Sequence, residues 1–211
     1  MTQTICIKDQ TFLLHPFGVM YWKEKAMLLI ADVHLGKISH FRKHGSAIPA
    51  AAIFKNFEQL DEVIAFFQPQ KVCFLGDLFH SYKNTEWQFF EAWIAKQESD
   101  ILLLIGNHDI IDERKYQDLG IKTGTELTID SILLTHHPEE RAGFFNFCGH
   151  IHPGVQLQGL GKQRLKLPCF FQKPNQLILP AFGVFTGIYV LEPEEEDKVY
   201  AITSKEVIIV S

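Results

Sequence analysis

Three stretches of this chain, MLLIADVH, KVCFLGDLFH and ILLLIGNHD, share one pattern: a short continuous apolar run that stops abruptly at polar, ionisable residues. Continuous apolar strands belong to sheets covered on both faces, whereas half-solvated strands alternate. Strands of this kind lie side by side in a buried sheet, which gathers their polar ends along one edge. Between them, Ile53, Phe57, Leu60, Ile64 and Phe67 fall at helical spacing, and Pro49 suits a first turn. Thr85 and Gln88 predict a capping box for a helix carrying Trp87, Phe90 and Ile94. The opening TICIKDQTFLLHP reads as a hairpin. After about Thr125 strands dominate: ELTI and SILLTHH about Asp130, GVQLQ and RLKLPCFF about GLGK, then QLILP, GIYVLEP, KVYAI and EVIIV. The acidic EPEEED run reads as a solvated hairpin tip. Strand–helix units followed by antiparallel strands call for an α/β fold of two packed sheets with helices outside.

Composition narrows the class. A chain of 211 residues is expected to form one domain, 1–211, because chains usually divide only beyond about 250 residues. Hydrophobic residues at 46% and charged residues at 21% exclude disorder over most of the length. Net charge −5 excludes a polybasic nucleic-acid binder but not an enzyme that carries cations at its site. No apolar run reaches the roughly 18 residues of a membrane span, and the N-terminus lacks the pattern of a secretion signal. Cys6, Cys73, Cys148 and Cys169 stand apart among apolar neighbours and read as reduced core thiols. A cytoplasmic protein is the expectation.

The polar ends carry the chemistry. Five blocks occur in order: Asp32-Val-His34, Gly76-Asp77-Leu-Phe-His80, Gly106-Asn107-His108-Asp109, His136-His137 and Gly149-His150-Ile-His152. Each follows an apolar run, and the C-terminal edge of such sheets is where α/β proteins bind ligands. One histidine beside a strand is usually a satisfied core residue. Five clusters at strand ends are not explained that way, since burying ionisable groups uncompensated costs several kcal/mol each. Metal coordination is the natural compensation. Carboxylate, imidazole and amide donors without cysteine suit Mn²⁺ or Fe²⁺, and also Zn²⁺. In an extended segment alternate residues share a side, so Asp32 with His34, and His150 with His152, are expected to face one site as pairs. Asp77, ending the middle strand, is the candidate to bridge two ions.

In this order DxH, GDxxH, GNHD, a later His and GHxH resemble the calcineurin-like metallophosphoesterases, with the blocks spanning residues 32 to 152. The resemblance implies a four-layer αββα sandwich, two mixed β-sheets flanked by helices, around a dinuclear centre. It implies that Asp32, His34 and His152 hold one ion, that Asn107, His136 and His150 hold the other, and that Asp77 bridges them. His108 lies beside the metals as the catalytic acid. LLIADVHLGK, the HPG-then-LPCF stretch and LPAFGVFTG further resemble the ligase-associated DNA-damage-response phosphoesterases (the PdeM group), from about Leu14 to Tyr189. That implies a phosphodiesterase or endonuclease acting on single-stranded DNA in bacterial repair, using two divalent ions, Mn²⁺ first, beside a helicase and an ATP-dependent DNA ligase. The family pattern has one metal-binding histidine before GHxH, whereas here two are adjacent. His136 continues the ILLT strand and is taken as the ligand, with His137 outside it.

Other residues carry weaker readings. His80 orients Asp77 or contacts substrate, or simply starts a helix. Asp109 reads either as holding the His108 imidazole in its tautomer or as an exposed turn residue. Lys37, His40, Arg42, Lys43 and His44 follow the first block and form either a basic solvated helix or a guide for a phosphodiester backbone, with Lys37, Arg42 and Lys43 the candidate contacts. Lys162, Arg164 and Lys166 form either an outward hairpin face or a phosphate rail. Phe144, Phe145 and Phe147 are read as core. Two rival functions stand against a nuclease: a phosphatase or pyrophosphatase for a nucleotide or lipid-sugar, and a non-catalytic scaffold, which the full ligand set disfavours.

Overall fold

Lys8 and Asp9 both take positive φ (49° and 59°), the two-residue turn whose twist suits antiparallel strands. They join β1 (Gln3–Ile7) to β2 (Gln10–Leu14). β3 (Met20–Trp22) and β4 (Met27–Ile30) continue antiparallel, and then β5 (Lys71–Leu75), β6 (Asp100–Leu104) and β7 (Lys122–Gly124) add in parallel. The computed structural model describes residues 1–43, 45, 47, 49–80, 82, 84–159 and 161–210, with the side chains of His40, Lys43 and Ala50 outside that description. Among the described residues these seven strands form the first sheet, in chain order.

The segments between its parallel strands are α1 (Lys37–Lys43), α2 (Phe54–Phe67), α3 (Thr85–Ile94) and α4 (Glu113–Gln117). Phe57, Leu60, Trp87, Phe90 and Tyr116 pack from these helices onto Leu28, Ile30, Val72 and Phe74 of the sheet. The chain then turns to β8 (Glu126–Ile129), β9 (Ile132–Thr135), β10 (Phe145–Cys148), β11 (Pro153–Gln158), β12 (Arg164–Lys173), β13 (Gln176–Ile178), β14 (Tyr189–Val190), β15 (Lys198–Ile202) and β16 (Val207–Ile209). The second sheet runs β14-β11-β12-β13-β10-β9-β8, with β15 on β12 and β16 on β15. It too mixes parallel and antiparallel pairs.

Two mixed sheets with flanking helices are thus what the chain builds. The helices are unevenly placed: among the described residues none follows Gln117, and they pack on the first sheet. Outside the second sheet, Cys148, Cys169, Phe171 and Val199 are closed over by Ile151, Leu157, Leu167 and Leu191 from strands and connecting segments. Between the sheets, Phe12, Trp22, Phe147 and Phe170 are wholly buried with Leu134 and Leu177. Their rings interlock, with Phe12 5.3 Å from Trp22 and 4.8 Å from Phe147. Phe145 and Phe147 are core, as read.

Local expectations need four corrections. The predicted helix from Pro49 starts as a 3₁₀ turn over Ala50–Ile53 before α2. Asn84, not Thr85, caps α3, its side chain accepting the Glu86 N–H at 2.9 Å. EPEEED joins strands that do not pair with each other, and Asp197 closes it by accepting the Glu194 N–H at 3.0 Å. Cys6 is exposed, while Cys73, Cys148 and Cys169 are buried. No described helix is long and apolar enough to cross a membrane.

Removing a ring from the inter-sheet layer leaves a cavity that tight neighbours cannot fill. Phe147→Ala is expected to lower unfolding free energy by about 3–5 kcal/mol, read by urea denaturation.

Candidate metal centre

β4, β5 and β6 are in register, Ile30 beside Phe74 and Leu75 beside Leu104, so the first three polar blocks leave the sheet at one level. β9 and β10, also parallel, deliver His136 and His150 to the same edge from the second sheet. Two hydrogen bonds sew the edges together: the His150 N–H donates to Asp32 Oδ2 at 2.9 Å, and His136 Nδ1 donates to the Leu75 carbonyl at 2.9 Å.

The donor atoms fall into two groups. In the first, His34 Nε2 lies 3.3 Å from His152 Nε2, which lies 3.4 Å from Asp32 Oδ1. In the second, His136 Nε2 lies 2.9 Å from Asn107 Oδ1 and 3.3 Å from His150 Nδ1. Asp77 stands between them, Oδ2 3.9 Å from His34 Nε2 and Oδ1 3.4 Å from His136 Nε2. Asp32 and Asp77 are almost wholly buried, at 0% and 1% exposure.

Backbone strain marks the same residues. Asp32, His34, Asp77, His150 and His152 all take φ between 51° and 69°. The left-handed region costs a non-glycine residue about 1 kcal/mol or more, and it persists where the surroundings enforce it. The extended geometry expected for Asp32-Val-His34 and His150-Ile-His152 is therefore corrected: the strands end at Ile30 and Cys148, and tight left-handed turns bring each pair together. Close approach explains the glycines of these blocks. A Cβ on Gly106 would lie 2.3 Å from Asp77 Oδ1, on Gly149 2.6 Å from Asp32 Oδ2, and on Gly76 2.2 Å from His136 Nδ1.

The electrostatics favour the neutral form of His34 and His150. Burial, then the Lys37 ammonium and the neighbouring imidazoles, hold His34 down to about 2. Burial also lowers His150, with His137 and His136 adding to the effect. Neutral rings present lone pairs, and the bond from His136 Nδ1 to Leu75 leaves its Nε2 free to bind.

Of the secondary candidates, His80 and His108 lie with His34 in a cluster of rings, 4.7 Å apart and 5.2 and 5.5 Å from it. The His108 N–H donates to Asp77 Oδ1 at 2.9 Å. Asp109 takes neither role: its carboxylate accepts the N–H groups of Phe79 (3.0 Å) and Gly106 (2.9 Å), bracing the two loops instead of the His108 ring. Burial pushes its pKa up to about 6. His137 is exposed, its ring 4.1 Å from that of His150, while His136 is buried. Burial lowers the pKa of half-buried Lys37, with Asp32 and Asp77 opposing that shift. Arg42 is exposed on α1, and the Lys43 side chain, like His40 and His44, lies outside the described residues.

Three supporting residues were missed. Buried Asn56 on α2 donates to the Val33 carbonyl (3.3 Å) and accepts from the Val184 N–H (3.2 Å). Buried Glu86 accepts the N–H groups of Gly36 (2.7 Å) and Ser39 (2.9 Å), fixing the turn that carries Lys37. Gly183 packs its Cα against the Val33 carbonyl and donates to that of Asp32 at 3.1 Å. For Asn56 and Glu86 the available signal was a polar residue set beside an apolar helical stripe.

Residues 26–169 match the family model described as calcineurin-like phosphoesterase. The chain belongs to that family. This calcineurin-like phosphoesterase is similar to the Pseudomonas putida nuclease MPE, with 26% identity and a TM-score of 0.85 over all of both chains. It is also similar to Yfce, a phosphoesterase from E. coli, with 15% identity over 86% of this chain and 96% of that one, and a TM-score of 0.46. No curated protein matches it in sequence. It is an enzyme that hydrolyses phosphoesters.

The family normally carries a dinuclear metal centre, and the residues present fit one. Asp32 Oδ1 and His34 Nδ1 are buried without a hydrogen-bond partner among the described residues. An unpaired carboxylate oxygen out of water is costly, and a cation beside it removes that cost. Gly106→Ala, forcing a methyl onto Asp77, is expected to lower bound metal per chain and activity together. Gly124→Ala, whose Cβ would meet nothing nearer than 3.7 Å, is the control. Elemental analysis of both variants checks this, and unchanged metal content in Gly106→Ala would contradict it.

Proposed function

We propose that this phosphoesterase is a metal-dependent phosphodiesterase that cuts single-stranded DNA, working with Mn²⁺ in cytoplasmic DNA repair beside a helicase and an ATP-dependent ligase. The observation that supports a nucleic-acid substrate is the likeness to the P. putida nuclease MPE along the full length of both chains. In this reading Asp32, His34 and His152 would hold one ion, Asn107, His136 and His150 would hold the other, and Asp77 would serve both. Ions bound there lower the pKa of water towards ~7 and neutralise charge growing on phosphoryl oxygens.

The remaining tasks fall to the chain. His108, its backbone tied to Asp77 and its ring among those of His34 and His80, gives a proton to the departing oxygen. Lys37 places a cation on the Asp32 side, and exposed Arg42 on the same helix offers a second for the incoming strand. With net charge −5, binding depends on these few groups and is salt-sensitive. A single strand can bend a phosphate into the sheet edge, whereas a duplex must be deformed at a cost of several kcal/mol.

The test sets a labelled single strand, its duplex and a panel of nucleotides beside one another with Mn²⁺, and repeats each with EDTA. Cleavage of the strand, much slower cleavage of the duplex and no activity in chelator are expected. Rapid hydrolysis of one nucleotide or lipid-linked pyrophosphate, with both DNAs intact, would shift the reading to a metabolic phosphatase. A second measurement isolates the acid. His108→Ala is expected to keep its metal and to slow diesters with alkoxide leaving groups by ~10²–10⁴-fold, with a much smaller loss on aryl esters. Equal losses on both would reassign His108.

A further inference from the structure

The second sheet extends an arm past the metal edge. Phe171 of β12 is level with Ile178, and Ile178 with Cys148, where β10 ends. β12 nevertheless starts at Arg164, which at about 3.3 Å per residue stands roughly 20 Å beyond that level. There it pairs with β11, from Gly154 beside Pro168 to Gln158 beside Arg164. β11 leaves directly from His152, so the hairpin has its root in the metal centre. β14 holds that root from its other side: Tyr189 donates its N–H to the His152 carbonyl at 2.8 Å, and Leu191 donates to that of Gly154 at 2.9 Å.

Alternation along β12 decides which way the arm faces. Leu167, Cys169 and Phe171 pack on the outside of the second sheet. Phe170 lies between the sheets, and Pro168 lines a cavity with Phe182 and Gly183 beside the Asp32 turn. Even-numbered positions therefore look towards the first sheet. Lys166 and Arg164 continue that row, opposite Gln156 and Gln158, while Val155, Leu157 and Leu165 take the other face. The outward hairpin face is thus corrected for Arg164 and Lys166, and Lys162 sits at the tip with φ 59°. All three cations are exposed, and none makes an ion pair among the described residues. Residues 153–168 contain no Asp or Glu, in a chain that has 25 of them and a net charge of −5. A cationic row left unanswered on an acidic protein is a local field for a polyanion.

We propose that this hairpin is a nucleic-acid arm, in which Lys162, Arg164 and Lys166 hold the sugar–phosphate backbone on one side of the phosphodiester that is cut. This rests on the nucleic-acid reading above. Same-face residues of a strand recur about every 7 Å, a spacing comparable to that of successive phosphates on an extended single strand. Gln156 and Gln158 add amide donors for phosphate oxygens along the same row. Lys37 and Arg42 belong to the first sheet's side of the centre, so the arm supplies the opposite side and the strand is gripped about the scissile bond. An acidic protein would meet the same charges, but it gives no reason for the row to rise from a metal ligand and to face the hydrolytic edge.

The experiment measures binding of a short phosphorothioate single strand, which keeps its backbone charges and resists cleavage, to the metal-loaded enzyme by fluorescence anisotropy over a range of salt. Removing three phosphate contacts in the triple variant Lys162→Gln, Arg164→Gln, Lys166→Gln should lower the salt slope by about 2, so that between about 50 and 200 mM the wild type loses about twentyfold more affinity than the variant. The charge-keeping variant Lys162→Arg, Arg164→Lys, Lys166→Arg should retain the wild-type slope. In the wild type, where folding of variants does not enter, the strand should slow acetylation of Lys162 and Lys166, read by mass spectrometry, and leave exposed Lys122 at the opposite end of the first sheet unaffected. Unprotected Lys162 and Lys166, an unchanged slope in a folded triple Gln variant, or equally strong binding of polyglutamate would each overturn the proposal. Cleavage of ordinary single-stranded DNA without protection of the two lysines would keep the nuclease reading and remove the arm. Protection of both lysines with ordinary DNA left intact would do the reverse.

Discussion

Two carboxylates set among imidazoles, with almost no water, are the constraint from which the rest of this molecule follows. Asp32 and Asp77 are buried at the ends of neighbouring parallel strands, and Asp77 turns its two oxygens towards different groups of nitrogen and amide donors. Cations held among these groups would offset the cost of that burial. The strain in five left-handed residues and the need for hydrogen at Gly76, Gly106 and Gly149 are further costs of the same design. The two sheets offset them, because the large inter-sheet core and the bonds from His150 to Asp32 and from His136 to Leu75 hold both edges in contact. A fold with less buried aromatic surface would relax these turns first.

The convergence of the polar blocks was legible in the sequence because it needs only topology. Parallel strands of similar length end together, and MLLI, KVCFL and ILLL announce themselves by continuous apolarity. What was illegible was the local geometry. Asp32 and His34 share a site by a left-handed turn, not by strand alternation, and no propensity argument selects that conformation for non-glycine residues. Asp109 likewise sits next to His108 in sequence but spends its carboxylate on the backbone of Phe79, a neighbour supplied by the adjacent strand-end loop. Asn56 and Glu86 could not be placed because their partners, Val33 with Val184 and Gly36 with Ser39, come from remote segments. Pairings of this kind are tertiary facts.

The tie between the 182–189 segment and the turns at Asp32 and His152 also bears on how the chain comes to be made. Asp32 and His150 already stand 118 positions apart, and Gly183 must arrive later still to close over Asp32. Contacts of such long sequence separation form late, since their loop-closure entropy has to be met before they contribute. During synthesis the first sheet and its helices can assemble with only four of the seven candidate ligands present. A ribosome-bound chain short of Gly183 therefore lacks a finished centre. Phosphoester hydrolysis therefore belongs to chains that extend past Gly183, and shorter nascent ones are inert.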